Sequence, residues 1–459
     1  MVNISDFKGK RIHFIGIGGC SMSGLAQILD NLGYDVAGSD QKQSSFTDTL
    51  VKNNITVHIG HNEEYVKDAS VVIYTAAIKP TNPEFAYAKE HGIPMIERSA
   101  LLGQISFNYQ DVVCVSGCHG KTTITSMLAL ITNDRGVDPT VHVGGMVDFL
   151  SGGVKVGNSD HFITEACEYV RSFMTLKPTA IIINNIDDDH LDYYKDIDEI
   201  ISTFADFVKL LPSDGKVFAN TDDENTRKAL AQCNADVVSY SLSGNSDYSA
   251  INIVFDELGC PSFDVTEKGK AIGHIVLHVP GLYNVLNALA AVTLAYVNYG
   301  ISVADSAKAL EHYHLAGRRF QLMGEKDGVK VFHDYAHHPS EIQACLSAAV
   351  QVPHKKLWVL FQCNSFTRAK TLKEKYAVSF ENADEVLVPD LYPGRDIDQH
   401  DIHATDLVKL IDAHSHNCKY LATFAEIKNY LHARWQPGDI VVTLGSGDVN
   451  KQQMVLLED

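Results

Sequence analysis

The chain has 459 residues, too many for one ordinary domain, and two to four domains are expected. With 45% hydrophobic and 21% charged residues it has the composition of a soluble globular protein with sizeable cores. Its formal net charge of −19 argues against nucleic acid or an anionic membrane as the main partner, although a local basic pocket or a helix terminus still suffices for a small anion.

Nine cysteines are scattered without a Cys-x-x-Cys pair, the pattern of a reduced protein, and a cytoplasmic location is expected. Met1 to Lys10 is polar and lacks the apolar core of a signal peptide, and no apolar run is long enough for a bilayer.

The first predicted strand is Arg11 to Ile15. It runs into Gly16-Ile17-Gly18-Gly19-Cys20-Ser21-Met22-Ser23-Gly24 and a helix from Leu25. A second strand, Asp35 to Gly38, ends at Ser39-Asp40. This βαβ unit is close to the dinucleotide fingerprint, except that Ser21 stands where its third glycine belongs. What the chemistry supports is a diphosphate against Gly18, Gly19, Ser21 and Ser23, with Asp40 near a sugar or base. A solvated loop carboxylate is the plainer reading of Asp40. A strand at Ser70 to Tyr74 ends in Thr75 and Ala76, a candidate wall of the same site, because open parallel sheets bind ligands at strand C-termini. A helix over 83–91 and a strand over 94–96 follow, and the unit is expected to close near residue 110.

Val112 to Val115 reads as a buried strand, and Ile124 to Ile131 as a helix. Between them lies Ser116-Gly117-Cys118-His119-Gly120-Lys121-Thr122-Thr123, a shortened phosphate loop. Its backbone N–H groups would cradle phosphate, Lys121 would reach the outer phosphates, and the Thr122 hydroxyl would sit on Mg²⁺. Strands over 161–164 and 180–186 then end in Glu165 and in Asp187-Asp188-Asp189-His190. Hard ligands at strand ends beside a phosphate loop suit a Mg²⁺–nucleotide site, so Glu165 and His190 are the metal candidates with Thr122. Most of Asp187 to Asp189 reads as an acidic helix N-terminus. Pro280 to Ala291 opens a helix whose Asn284 and Asn287 are three apart, and an amide there can read an adenine edge.

A third α/β region begins near Arg318-Arg319, candidate clamps on phosphate or carboxylate. A strand over 329–332 ends in His333-Asp334-Tyr335-Ala336-His337-His338, a candidate site, before a helix over 341–350. Strands follow at 357–361, 385–388 and 439–444.

Together these stretches resemble the Mur ligase family, the amide-forming enzymes of peptidoglycan precursor synthesis. The likeness rests on the order of the Gly-Ile-Gly-Gly turn, the Gly-x-His-Gly-Lys-Thr-Thr loop, Glu-Ala-Cys-Glu-Tyr at 165–169 and Asp-His-Leu-Asp at 189–192. Asn-Val-Leu-Asn-Ala at 284–288, Gly-Arg-Arg-Phe at 317–320 and Asp-Tyr-Ala-His-His-Pro at 334–339 complete it. It spans essentially the whole chain.

The resemblance implies three α/β domains: a Rossmann-like UDP-binding domain over 1–110, a P-loop-type ATP-binding domain over 111–313, and a Rossmann-like closing domain over 314–459. It implies an ADP-forming ligase using ATP and Mg²⁺, with UDP-N-acetylmuramate and L-alanine as substrates; the alternative within the family is a ligase that adds another amino acid or a recycled peptide to the same UDP-sugar. By its motifs Gly117 to Thr123, Asn287, Arg319 and Asp334 contact ATP. Lys121, Glu165, His190 and His338 are catalytic, and Arg368 lies on the substrate side. The chain departs from the family at Cys118, where threonine is usual, at Tyr283, and at Asn364, where a histidine is expected near the amino acid. A carbamylated lysine of related ligases would fall about fifteen residues after His190, where the chain has Ala205, and none is expected.

Two other classes fit parts of the chain. A nicotinamide oxidoreductase leaves the Lys121 loop without a purpose, and a P-loop phosphotransferase leaves the first glycine turn unexplained. Oligomeric state is not legible in the sequence.

Overall fold

The computed structural model describes residues 2–150, 152–190, 193–314, 320–394, 396 and 398–458. Residues 1–251, 264–275 and 286–310 pack as one unit, and 252–263, 276–285 and 311–459 as a second.

The first unit opens with a five-stranded sheet: β1 (Arg11–Ile15), β2 (Asp35–Asp40), β3 (Thr56–Ile59), β4 (Val71–Tyr74) and β5 (Met95–Glu97). Its order is β3-β2-β1-β4-β5 and every pairing is parallel. Strand order reverses beside β1, so the crevice at the C-terminal end of β1 is the place where such a sheet takes a ligand. Gly16 leaves that end.

A ten-stranded sheet follows. Its strands are β6 (Asp111–Ser116), β7 (Thr140–Val147), β8 (Gly152–Lys155), β9 (His161–Glu165), β10 (Ala180–Ile183), β11 (Lys216–Asn220), β12 (Asp236–Ser241), β13 (Tyr248–Phe255), β14 (Pro261–Glu267) and β15 (Lys270–Val276). The order is β15-β14-β13-β12-β11-β10-β6-β9-β7-β8. β6 lies between β10 and β9, parallel to both. Val112, Val113, Cys114 and Val115 are all fully buried, as expected of a parallel strand covered on both faces. This second reversal point is where the phosphate loop emerges.

The second unit holds β16 (Gln321–Lys326), β17 (Val329–Asp334), β18 (Leu357–Phe361), β19 (Glu385–Val388), β20 (Cys418–Tyr420) and β21 (Ile440–Leu444). Their order is β16-β17-β21-β18-β19-β20, parallel except for the β16–β17 hairpin. The α/β class with three sheets agrees with the sequence. Asp187 to Asp189 do not: the next helix begins only at Ile197, capped by the Asp196 side chain, so the three aspartates lie in a loop and not at a helix N-terminus. Among the described residues no helix is long and apolar enough to cross a membrane.

Candidate functional site

The glycine turn after β1 is held by its neighbour strand. The Gly16 and Ile17 N–H groups donate to the Ser39 carbonyl at 2.8 and 2.9 Å. The Asp40 carboxylate accepts the Gly18 N–H at 2.9 Å, and a Cβ on Gly18 would stand 2.9 Å from that same oxygen. Asp40 therefore shapes the turn from within. Gly19 caps the helix Cys20–Asn31 without a side-chain bond, which leaves the first-turn N–H groups to an external anion. Thr75 faces the turn, its methyl 3.6 Å from where a Gly16 Cβ would stand, and Ala76 beside it is exposed. Ser21 bonds sideways to His142. Ser23 is buried and its hydroxyl donates to the Cys20 carbonyl.

The phosphate loop is pinned by asparagines that follow β10. The His119 N–H donates to Asn185 Oδ1 at 2.8 Å, and the Asn184 and Asn185 amides both donate to the His119 carbonyl, at 3.1 and 3.0 Å. The Cys118 N–H donates to the Asn185 carbonyl at 3.1 Å, a backbone bond that threonine would make equally. Gly117 and Gly120 have φ of +132° and +87°. Asn287 closes the loop from the helix Leu282–Tyr299: its Oδ1 accepts from the Asn184 amide at 3.1 Å. Asn284 has a different partner, donating to the Pro280 carbonyl at 2.7 Å. Thr123 follows Thr122 in the first turn of the helix Lys121–Asp134.

Lys121 Nζ reaches the Gly117 carbonyl at 2.5 Å and both carboxylate oxygens of Glu168, at 2.9 and 3.1 Å. Burial, the largest single effect, would lower its pKa, but the Glu168 charge and hydrogen bond together with the nearby Cys167 and Cys118 raise it on balance. Glu165, at the end of β9, takes hydrogen bonds from Thr122 and the Gly144 N–H, yet burial dominates and raises its carboxyl pKa. Its Oε1 is buried with no hydrogen-bond partner among the described residues. An orphaned carboxylate oxygen beside a phosphate-loop threonine fits a hard divalent cation.

His190, at φ +55°, stands with its Nε2 3.8 Å from Glu168 and 3.7 Å from Asp189. Ligand atoms of Glu168, Asp189 and His190 lie within 4.8 Å of one another. Sequence reasoning gave Glu168 no role, although a second carboxylate three residues after Glu165 was visible in the quoted motif. It also missed Asn184 and Asn185, because amides ending a buried strand look like an ordinary strand exit.

In the second unit Asp334 is buried, and its two oxygens accept the Phe320 and Ala336 N–H groups at 2.7 Å each. His338 caps the helix Pro339–Ala349, its Nδ1 accepting the Ser340 N–H at 3.4 Å. Arg368 donates to Asn364 Oδ1 at 3.2 Å, and the Asn364 amide donates to the Ser446 hydroxyl. Arg318 and Arg319 lie outside the described residues.

Three family models match the chain: "Mur ligase family, catalytic domain" over residues 11–110, "Mur ligase middle domain" over 115–295, and "Mur ligase, glutamate ligase domain" over 318–447. A UDP-N-acetylmuramate–L-alanine ligase of Alkaliphilus metalliredigens is 43% identical over 457 residues, covering 100% of this chain and 99% of its own. One from Acetivibrio thermocellus is 43% identical over 453 residues, 98% and 96% of the two chains. Among solved structures, the Thermotoga maritima UDP-N-acetylmuramate–alanine ligase superposes with a TM-score of 0.77 at 26% identity, over 97% of this chain and 98% of that one. A murein peptide ligase of Psychrobacter arcticus gives 0.68 at 25%, over 98% and 99%. Matched by family models over residues 11–110, 115–295 and 318–447 and by relatives along nearly its whole length, the chain belongs to the Mur ligase family.

Proposed function

We infer that this protein is an ATP-dependent ligase that joins L-alanine to the carboxylate of UDP-N-acetylmuramate and releases ADP and phosphate. The observation that carries the reading is its 43% identity, end to end, to ligases of that name. The Lys121 loop and the orphaned Glu165 oxygen support it independently, since both are what a phosphoryl-transfer site needs.

A carboxylate is a poor acyl donor. Its oxygen attacks the γ-phosphoryl group in line, the bond to ADP breaks, and an acyl phosphate forms. The amine of L-alanine then attacks the acyl carbon, loses a proton, and phosphate leaves. The chain's part is positioning and charge neutralisation. The loop from Gly117 to Thr123 holds the phosphates, chiefly through the backbone N–H groups of Gly120 to Thr123, since those of Cys118 and His119 are given to Asn185, and Lys121 exchanges its contact with Glu168 for the outer phosphate. Thr122, Glu165 and His190 would hold Mg²⁺, which supplies charge neutralisation at the transferring group. The first glycine turn takes the UDP diphosphate on Gly18, Gly19 and the helix start behind Ser21, with Thr75 and Ala76 alongside. By motif, Asn287, Arg319, Asp334, His338 and Arg368 complete the assignment, over domains 1–110, 111–313 and 314–459.

The test is ADP release with Mg²⁺-ATP and UDP-N-acetylmuramate across alanine, glycine and serine. Release requiring both the sugar and L-alanine is expected. Release with a different amino acid moves the specificity while keeping the reaction, and release without the sugar overturns the reading.

A further inference from the structure

His142 lies in β7, where nothing in the family motifs gives it a role. The helix Cys20–Asn31 packs on β7 and β8 within the first unit, and Gly24 sets how closely. A Cβ at Gly24 would stand 3.2 Å from His142 Cδ2 and 3.3 Å from Val154 Cβ, so little more than a hydrogen fits there. This approach brings a 3% exposed imidazole up to the glycine turn. His142 Nε2 is 3.0 Å from Ser21 Oγ, and Nδ1 is 3.3 Å from Thr164 Oγ1.

The directions of these bonds follow from their ends. Arg98 can only donate, and its Nη1 lies 3.4 Å from Ser21 Oγ, which leaves the Ser21 hydrogen available for His142 Nε2. Thr164 donates to the Glu165 carbonyl at 3.0 Å, so its oxygen accepts the His142 Nδ1–H. A neutral imidazole with its proton on Nδ1 satisfies every member. Burial, helped by the Arg98 charge, keeps it neutral by pulling its pKa down to about 4. The Ser21 carbonyl, 3.4 Å from Nε2, would need the other tautomer and is the weaker partner.

The chain Arg98–Ser21–His142–Thr164 thus begins at the turn assigned to the UDP diphosphate and ends on the backbone of Glu165. We propose that His142 is a positioning residue that fixes the diphosphate turn of the first sheet in register with the strand carrying the metal carboxylate. The proposal rests on the functional reading above. Its reason is chemical: the sugar's carboxylate must meet the γ-phosphate in line, and a misplacement of about 1 Å can cost about a hundredfold in rate.

The experiment measures kcat and KM for each substrate, by ADP release, in His142→Leu, Thr164→Val, Ser21→Ala, the Ser21→Ala/His142→Leu pair and His142→Asn. Leucine keeps the bulk and valine is isosteric with threonine, so Thr164→Val carries the test if His142→Leu does not fold. We expect kcat to fall about tenfold to a hundredfold in His142→Leu while the KM for ATP stays within about twofold. The paired variant should be no worse than His142→Leu, because one chain is broken once or twice with the same result. Asparagine can still offer an N–H near the Nδ1 position and should recover part of the loss. Variants that keep kcat within about twofold, or losses that multiply in the pair, overturn the proposal. A wild-type enzyme whose ADP release ignores the UDP-sugar overturns the functional reading instead.

Discussion

Lys121 and Glu168 form a buried ion pair, with the lysine ammonium 2.9 and 3.1 Å from the two carboxylate oxygens and the glutamate 1% exposed. The glutamate is held there from behind. Tyr194 donates its hydroxyl to the Glu168 carbonyl, and Arg171 bonds Asp206 at 2.8 Å in the helix Ile197–Val208. Between them Val170 and Arg171 sit at φ of +48° and +56°, a conformation that costs non-glycine residues about 1–2 kcal/mol each. Removing one partner of a buried pair strands the other, at about 3–5 kcal/mol. Lys121→Ala should therefore lose stability as well as turnover, the latter by about a hundredfold to a thousandfold. Adding Glu168→Gln should restore most of the stability and none of the turnover. Urea midpoints and ADP release separate the two, and a double variant as unstable as Lys121→Ala would refute the pairing argument.

The orphaned Oε1 of Glu165 makes a second expectation. Glu165→Gln keeps the shape and the Thr122 contact but removes the charge that a cation needs. The Mg²⁺ concentration for half-maximal ADP release should rise by at least about tenfold, given that even supporting groups around a metal contribute that much. Unfolding temperature without Mg²⁺ should hold or increase, since a buried charge has been removed. An unchanged Mg²⁺ requirement would move the cation to the Glu168, Asp189 and His190 cluster.

The parts of this site that sequence reading reached are those built by neighbours in the chain. β6, two glycines and a helix opening on Lys121 form a local unit, and apolar pattern plus turn chemistry identify it. Glu168 is different. Its place depends on two strained residues after it and on partners in a later helix, and no periodicity reports that. Asp187 to Asp189 were misread because an acidic run before a helix usually opens it. Here the loop is tied back by His119 N–H to Asn185 and by His119 Nε2 3.3 Å from Asp187, and the helix waits for Asp196. His142 sits in an apolar strand 121 residues from Ser21, where only the packing of helix on sheet could reveal it.

Gly120 offers a steric test. Its φ of +87° disfavours any side chain, and a Cβ would stand 2.5 Å from Asn287 Oδ1 and 2.7 Å from Asn184 Nδ2. Both amides also hold the loop, so they cannot retreat without releasing it. Gly120→Ala should lose at least about 2 kcal/mol of stability from backbone strain and overlap together. ATP binding should weaken more than UDP-sugar binding, because the first glycine turn lies on another sheet. Isothermal titration with each nucleotide distinguishes this from general damage, which would weaken both alike.

His142 carries a pH signature of its own. Its ordinary pKa of 6.5 falls to about 4 in the folded chain, through burial first and the Arg98 charge second. Between those values the unfolded chain binds the proton and the folded one does not, so stability rises with pH across this window. Above about 6.5 the contribution is constant, and below about 4 the loss is complete. At pH 4.5 the loss should be about 2–3 kcal/mol relative to pH 7.5, on a scale of about 1.4 kcal/mol for each unit of pKa. Other groups titrate in the same range, so the comparison is with His142→Gln, which has no proton to gain. The wild type should lose about 2–3 kcal/mol more than this variant between pH 7.5 and 4.5, read from urea unfolding curves. Parallel losses in the two proteins would mean that His142 takes up a proton in the folded state as readily as in the unfolded one, and the neutral, Nδ1-protonated imidazole would be wrong.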